Sequence, residues 1–176
     1  MALSRDWIRK RTPDQIKDLL ETQVKGIKVE WLTREQFEAL TRQQIGWLPK
    51  EQYQKIKVEW LTREQFEGQS GGLLDKLTRG QVQNLLYWQL RALTSWQVAG
   101  LNVGWLTVEQ IQYLPVSLLT SFPAMQLRQL TVKHAEHMTE DQAAQMREQI
   151  ERLRRSDRVL WMDLQVLLPA LNRPRR

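Results

Sequence analysis

Cysteine is absent from the 176 residues, so no disulfide staples the chain and no thiolate can act as nucleophile or metal ligand. That absence fits a reducing compartment, and equally export through a machine that needs an unfoldable, disulfide-free chain. Histidine is almost absent: His134 and His137 are the only two, in His134-Ala135-Glu136-His137. Two imidazoles three apart on a helix can share a metal, but no third histidine, thiol or HExxH arrangement completes a site. Both are therefore expected to face solvent near a helix end. Gly68-Gln69-Ser70-Gly71-Gly72 spells GxSxG, but a nucleophile elbow needs that motif on a strand-to-helix turn, which the octad pattern does not offer. No GxxxxGK[ST] or GxGxxG occurs, so a glycine phosphate cradle is not supported. Acidic residues such as Glu35, Glu38, Glu64 and Glu67 fall on solvated positions. The expectation is no enzyme, no cofactor and no metal.

Long apolar runs are also missing, so no transmembrane segment is expected. The opening MALSRDWIRKRTPDQ lacks the apolar stretch of a secretory signal. A signal read by a specialised secretion apparatus would not show in that test, so localisation stays open between cytoplasm and specialised export.

What the chain has is repetition. Ile27–Glu38 reads IKVEWLTREQFE, and Ile56–Glu67 repeats it letter for letter. The tail of that unit, Leu-Thr-x-x-Gln followed by an apolar residue, returns at Leu77, Leu93 and Leu106. Threonine or a stand-in falls at 33, 41 and 49, and again at 107, 115, 123, 131 and 139, in steps of eight. Thr94 to Thr107 is thirteen, and Thr33 to Thr62 is two eights and a thirteen.

Each octad carries its own helix start. Threonine followed three residues on by glutamine is a capping box, and leucine before the threonine with the apolar residue after the glutamine is a hydrophobic staple. Leu32 with Phe37, Leu61 with Phe66 and Leu106 with Ile111 fit it. One continuous helix is excluded: eight residues at about 100° each overshoot two turns by about 80°, so the leucines would wind around the rod. Prolines at 49, 115 and 123 push the preceding residue out of the α region. Each eight therefore reads as a short helix and a sharp turn, unstable alone and stabilised by stacking. The predicted fold is all-α, a solenoid or superhelix of short helices over 12–138. A basic lead-in over 1–11 precedes it, and a C-terminal helical cap and basic tail over 139–176 follow.

Five-residue inserts accompany each thirteen: Ile27–Trp31, Ile56–Trp60 and Leu101–Trp105. Their period-two apolar pattern predicts short extended connectors that plug a tryptophan into the core; an extra helical turn is the alternative reading. Gly68–Gly72 reads as a flexible loop that keeps the octad phase. In the cap, Thr139 starts a longer helix, and a second, about Asp157 to Leu168, is stopped by Pro169. Asn172–Arg176 reads as a disordered tail.

Net charge is +6, and it is uneven: residues 147–176 hold eight arginines against four acids. From Gly80 to Leu127 the only charges are Arg91 and Glu109. Tyr87, Trp88, Trp96, Tyr113 and Phe122 lie there. Such a window is either a set of middle repeats buried on both sides or a face for a protein partner or a second copy, since interface cores lose charge and gain aromatics. Trp31, Trp47, Trp60 and Trp105 recur in phase and read as packing residues. Trp88 and Trp96 are out of phase and read as surface anchors. Arg154, Arg155, Arg158, Arg173, Arg175 and Arg176 form the basic end, a candidate for nucleic acid.

The LTxxQ octads resemble the short-helix superhelical arrays of mesothelin- and stereocilin-like proteins. They resemble more closely the leucine/glutamine-rich repeats of bacterial secreted effectors and large toxins, over about Thr12 to Met138. That resemblance implies a virulence-associated binding or delivery platform, with no active site to carry over. LTREQF and LTRGQV also resemble the opening of transcription-activator-like effector repeats, but the roughly 34-residue period and the base-reading glycine loop are absent.

Overall fold

The computed structural model describes residues 3–67 and 73–174; Gly68–Gly72, Arg175 and Arg176 lie outside them. Among the described residues every regular element is helical. The chain divides into two compact units, Met1–Leu85 and Leu86–Arg176. The first holds α1 (Arg5–Arg9), α2 (Pro13–Lys17), α3 (Glu21–Lys25), α4 (Arg34–Glu38), α5 (Arg42–Gly46), α6 (Lys50–Tyr53), α7 (Arg63–Glu67) and α8 (Arg79–Gln83). The second holds α9 (Tyr87–Arg91), α10 (Ser95–Gly100), α11 (Val108–Ile111), α12 (Val116–Leu119), α13 (Ala124–Leu127), α14 (Val132–His137), α15 (Glu140–Ser156), α16 (Arg158–Leu164) and α17 (Leu168–Leu171).

The octads are helices of four to six residues, and those that follow a threonine carry the predicted capping box. In α4 the Gln36 backbone N–H donates to Thr33 Oγ1 at 3.3 Å and the Thr33 N–H donates to Gln36 Oε1 at 3.0 Å. Leu20 and Leu86 fill the cap slot without a hydroxyl, so only the glutamine leg remains, at 2.9 and 2.8 Å. Each helix stops because the next cap residue is extended, as at Thr41 with φ −70 and ψ 157. No described residue has positive φ, so these turns need no glycine. The apolar residues four and seven after each cap form the interior: Phe37 and Leu40, Ile45 and Leu48, Val82 and Leu85, and Val98 and Leu101 are all at most 5 % exposed.

The five-residue inserts are not extended connectors. Val29–Trp31, Val58–Trp60 and Val103–Trp105 are 3-10 turns, so the extra-helical-turn reading holds. Their N-caps, Lys28, Lys57 and Asn102, each fall eight residues after the previous cap. The next cap follows after five. Each is thus an octad cut short by three residues. Leu32, Leu61 and Leu106, 3–5 % exposed, serve at once as the fourth residue of the short unit and as the staple of the next helix. Ile27 closes the preceding octad, so the period-two pattern joined the end of one unit to the start of another. The tryptophans do not enter the core: Trp31, Trp60 and Trp105 are half-buried, with Lys28 Nζ 5.5 Å and Lys57 Nζ 4.2 Å from the first two ring centroids.

Units are tied across the sequence by the same glutamines that cap them. Gln65 Nε2 donates to the carbonyls of Phe37, Glu38 and Leu40 at 3.0, 3.2 and 2.7 Å. Gln36 reaches Ile8 and Arg11, Gln44 reaches Ile16, Lys17 and Leu19, and Gln81 reaches Tyr53 and Ile56. In every case the partner helix lies four units earlier. A helix of five residues leaves its last carbonyls without intrahelical donors, and these are the carbonyls the amides take up. Gln142 keeps the rule with a longer reach, 31 residues to the Ile111 carbonyl, because four full octads intervene. Where the cap is proline and has no N–H, the glutamine oxygen turns elsewhere. Gln52 Oε1 accepts from the Val29 N–H at 2.9 Å and Gln126 Oε1 from the Val103 N–H at 3.3 Å. Both donors open a short unit three units back.

The helix that Thr139 opens is longer than an octad, as expected: α15 runs 17 residues. Pro169 does not stop the chain. A 3-10 turn at Gln165–Leu167 follows α16, and Pro169 sits in the first turn of α17, where its missing N–H costs nothing.

Candidate interaction surface

In α9 the cap residue Leu86 leaves the first helical position, Tyr87, facing out, with 53 % exposure. Its ring meets Tyr113 edge-on, centroids 5.0 Å apart at 88°. The Arg91 guanidinium donates to Tyr87 Oη at 3.0 Å and lies 5.5 Å from the ring centroid, so one of the two charges in this window is drawn onto the aromatic pair. Trp88 is half-buried beside it.

Trp96 takes the second position of α10 and is 84 % exposed. Met125 takes the same position of α13 and is 72 % exposed. The Gln126 amide donates to the Ala99 carbonyl at 3.2 Å, so α10 and α13 adjoin and carry these two side chains on equivalent outward slots. Neither is called out by packing, because the second position after the cap points away from the interior. Met125 was missed by a reading that looked for aromatics; its slot equivalence to Trp96 was the available signal. Phe122 leaves the candidate set: at 5 % exposure it belongs to the core.

The basic end is less free than its composition suggests. Arg154 lies 4.0 Å from Glu151 and stacks 5.7 Å from the Trp161 centroid. Arg173 pairs with Glu136 at 2.5 Å, and Asn172 ends α17 as its C-cap, so these tail residues are placed. Arg155 and Arg158 are exposed and form no ion pair among the described residues.

The histidines part company. His137 is exposed and its Nδ1 sits 2.9 Å from the Lys133 carbonyl. His134, expected on the surface, is 4 % exposed because it occupies the glutamine slot after Thr131. Its Nδ1 accepts from the Thr131 N–H at 3.3 Å, which leaves the hydrogen on Nε2 to donate to the Leu106 carbonyl at 3.1 Å. Leu106 is four units back, so this imidazole makes both contacts of the glutamine it replaces. Burial pushes its pKa below the ordinary histidine value, the Leu106 carbonyl opposes this, and His137 adds to the lowering.

The carboxyls of Glu35 and Glu109 are held below the usual range by backbone N–H bonds and by the Thr33 and Thr107 hydroxyls, which are helix-start contacts. No group of three or more His, Asp or Glu among the described residues could hold a metal ion. In the first unit, a groove of about 710 Å³ is walled partly by Trp7 and Trp31. Arg11 covers one ring at 4.1 Å and Lys28 the other at 5.5 Å, so it offers less bare aromatic surface than the α9–α10 face. No helix among the described residues is long and apolar enough to cross a membrane.

No protein-family model, curated protein or solved structure matches the chain.

Proposed function

We propose that the chain is a non-enzymatic helical-repeat module that binds another protein through the outward face of α9, α10 and α13. The observation that carries this is the exposure of Trp96 at 84 %, with Tyr87 at 53 % and Met125 at 72 %, in a stretch almost without charge. Folding gains nothing from leaving such side chains in water, whereas aromatic and methionine side chains dominate the energetics of protein interfaces. Within each compact unit the glutamine amides tie one short helix to another, leaving the outer positions free to vary with the partner. The likeness to repeats of bacterial secreted effectors supports placing this module in an effector or in part of one.

The competing reading, nucleic acid held by the basic end, draws on fewer free cations: Arg154 and Arg173 have acidic partners, and only Arg155 and Arg158 stand alone among the described arginines named for it. The test is affinity capture with the full chain, followed by Tyr87→Ala with Trp96→Ala. Loss of a stoichiometric protein partner, by about thirty-fold in affinity for a typical hot spot, supports the face. Capture unchanged by the double substitution refutes it.

A further inference from the structure

A second outward surface lies on the last helices of the C-terminal unit. Val159, Met162 and Val166, on α16 and the turn after it, are 66, 58 and 60 % exposed. Residues three and seven apart share one side of a helix. The opposite side, Leu160, Leu164 and Leu167, is buried at 1–2 % and already packs the unit. Folding therefore accounts for one apolar side of this segment and not for the other.

The border of the ridge is basic. Arg158 begins α16 and Arg155 lies in the last turn of α15 just before it, both exposed and without an ion pair among the described residues. The acid on the ridge's other flank, Asp163, is held by Arg128 at 2.8 Å. The surface thus presents three protruding aliphatic side chains, two guanidinium groups without ion pairs, one neutralised pair, and Asp157, whose Oδ1 is engaged by the Leu160 N–H at 3.0 Å as the cap of α16.

We propose that this ridge docks the protein peripherally on an anionic lipid surface, independently of the α9–α10 face. Area and charge favour a bilayer over a protein or a second copy. A stable protein interface covers about 800 Å² per partner, and three aliphatic side chains fall well short of it. Shallow insertion at the headgroup boundary needs only a narrow apolar strip, aided by attraction between arginine and anionic lipid. Two arginines near such a surface contribute about thirty-fold to partitioning.

The test is co-sedimentation of the full chain with phosphatidylcholine vesicles, with and without phosphatidylserine. Binding is expected to the anionic vesicles, to weaken with added salt, and to fall about thirty-fold in Arg155→Gln with Arg158→Gln. Met162→Gln with Val166→Gln should weaken it as well, while the thermal melt of each variant stays at the wild-type value because all four side chains are exposed. Trp96→Ala should leave vesicle binding unchanged. Equal binding to neutral and anionic vesicles, no binding at low salt, or binding indifferent to the Met162 and Val166 substitutions would overturn the proposal. So would a concentration-dependent dimer in light scattering that Met162→Gln abolishes, which would give the ridge to a second copy.

Discussion

Replacing Gln65 by glutamate separates two accounts of the repeat. A capping box accepts glutamate as readily as glutamine, so if Gln65 only starts α7, Gln65→Glu is close to neutral. The structure gives the amide nitrogen a second task. It donates to Phe37, Glu38 and Leu40 carbonyls from a site only 2 % exposed, while Oε1 accepts from the Thr62 N–H at 2.9 Å. The carboxylate keeps the Thr62 contact and loses every donor. Phe37 O retains the Leu40 N–H as a partner, so the main loss falls on the Leu40 and Glu38 carbonyls. Unpaired buried groups cost about 1–3 kcal/mol each, and two of them give a loss of about 3–4 kcal/mol at neutral pH. At about 2–4 °C per kcal/mol for a chain of this size, the melting temperature should fall by about 10 °C. Burial raises the pKa of the new carboxyl above its unfolded value, so the folded form takes up the proton first and the deficit shrinks as pH falls. Thermal and urea melts across pH, with Gln43→Glu as an exposed control, make the measurement. A change within about 0.5 kcal/mol would refute the inter-unit role.

His134→Gln should remove an acid sensitivity: the folded-state pKa is lowered, so the unfolded chain binds the proton first and stability falls as pH drops below about 6.5. Urea melts at neutral and mildly acid pH should show this loss in the wild type and a smaller one in the variant. Gly104→Ala places a Cβ 3.2 Å from both the Cβ and the carbonyl oxygen of Gln129; the crowding should cost about 1–3 kcal/mol, read by denaturant titration. Trp96→Ala, at a side chain that is 84 % exposed, should change stability by less than about 0.5 kcal/mol while weakening partner capture, a split that calorimetry and binding together resolve.

The local half of this fold was legible in the sequence, because caps and staples act within five residues. Thr33, Gln36, Leu32 and Phe37 announce α4 by type and spacing, and the helices fall where that pattern places them. The long-range half was not, since a bond from Gln65 to a carbonyl 28 residues earlier leaves no local mark. One trace was present: the clear octads use glutamine and never glutamate, though capping tolerates either, and only glutamine can donate. His134 could have been placed by the same slot rule, three residues after Thr131. The short units misled because Ile27 and Val29 alternate like a strand while belonging to different turns. Of the surface candidates, Trp96 and Tyr87 stand out in water, whereas Phe122 is buried by the staple position before Pro123 that it occupies.

The central claim is that the amides of Gln36, Gln44, Gln65, Gln81, Gln126 and Gln142 each donate to a unit four earlier. Side-chain carboxamide hydrogen exchange, followed by NMR with residue assignments, tests it directly. The account predicts slow exchange for the NH₂ groups of Gln36, Gln44, Gln65, Gln81 and Gln142 beside fast exchange for exposed Gln43 and Gln54. Exchange of the slot glutamines at the rate of Gln43 would contradict it.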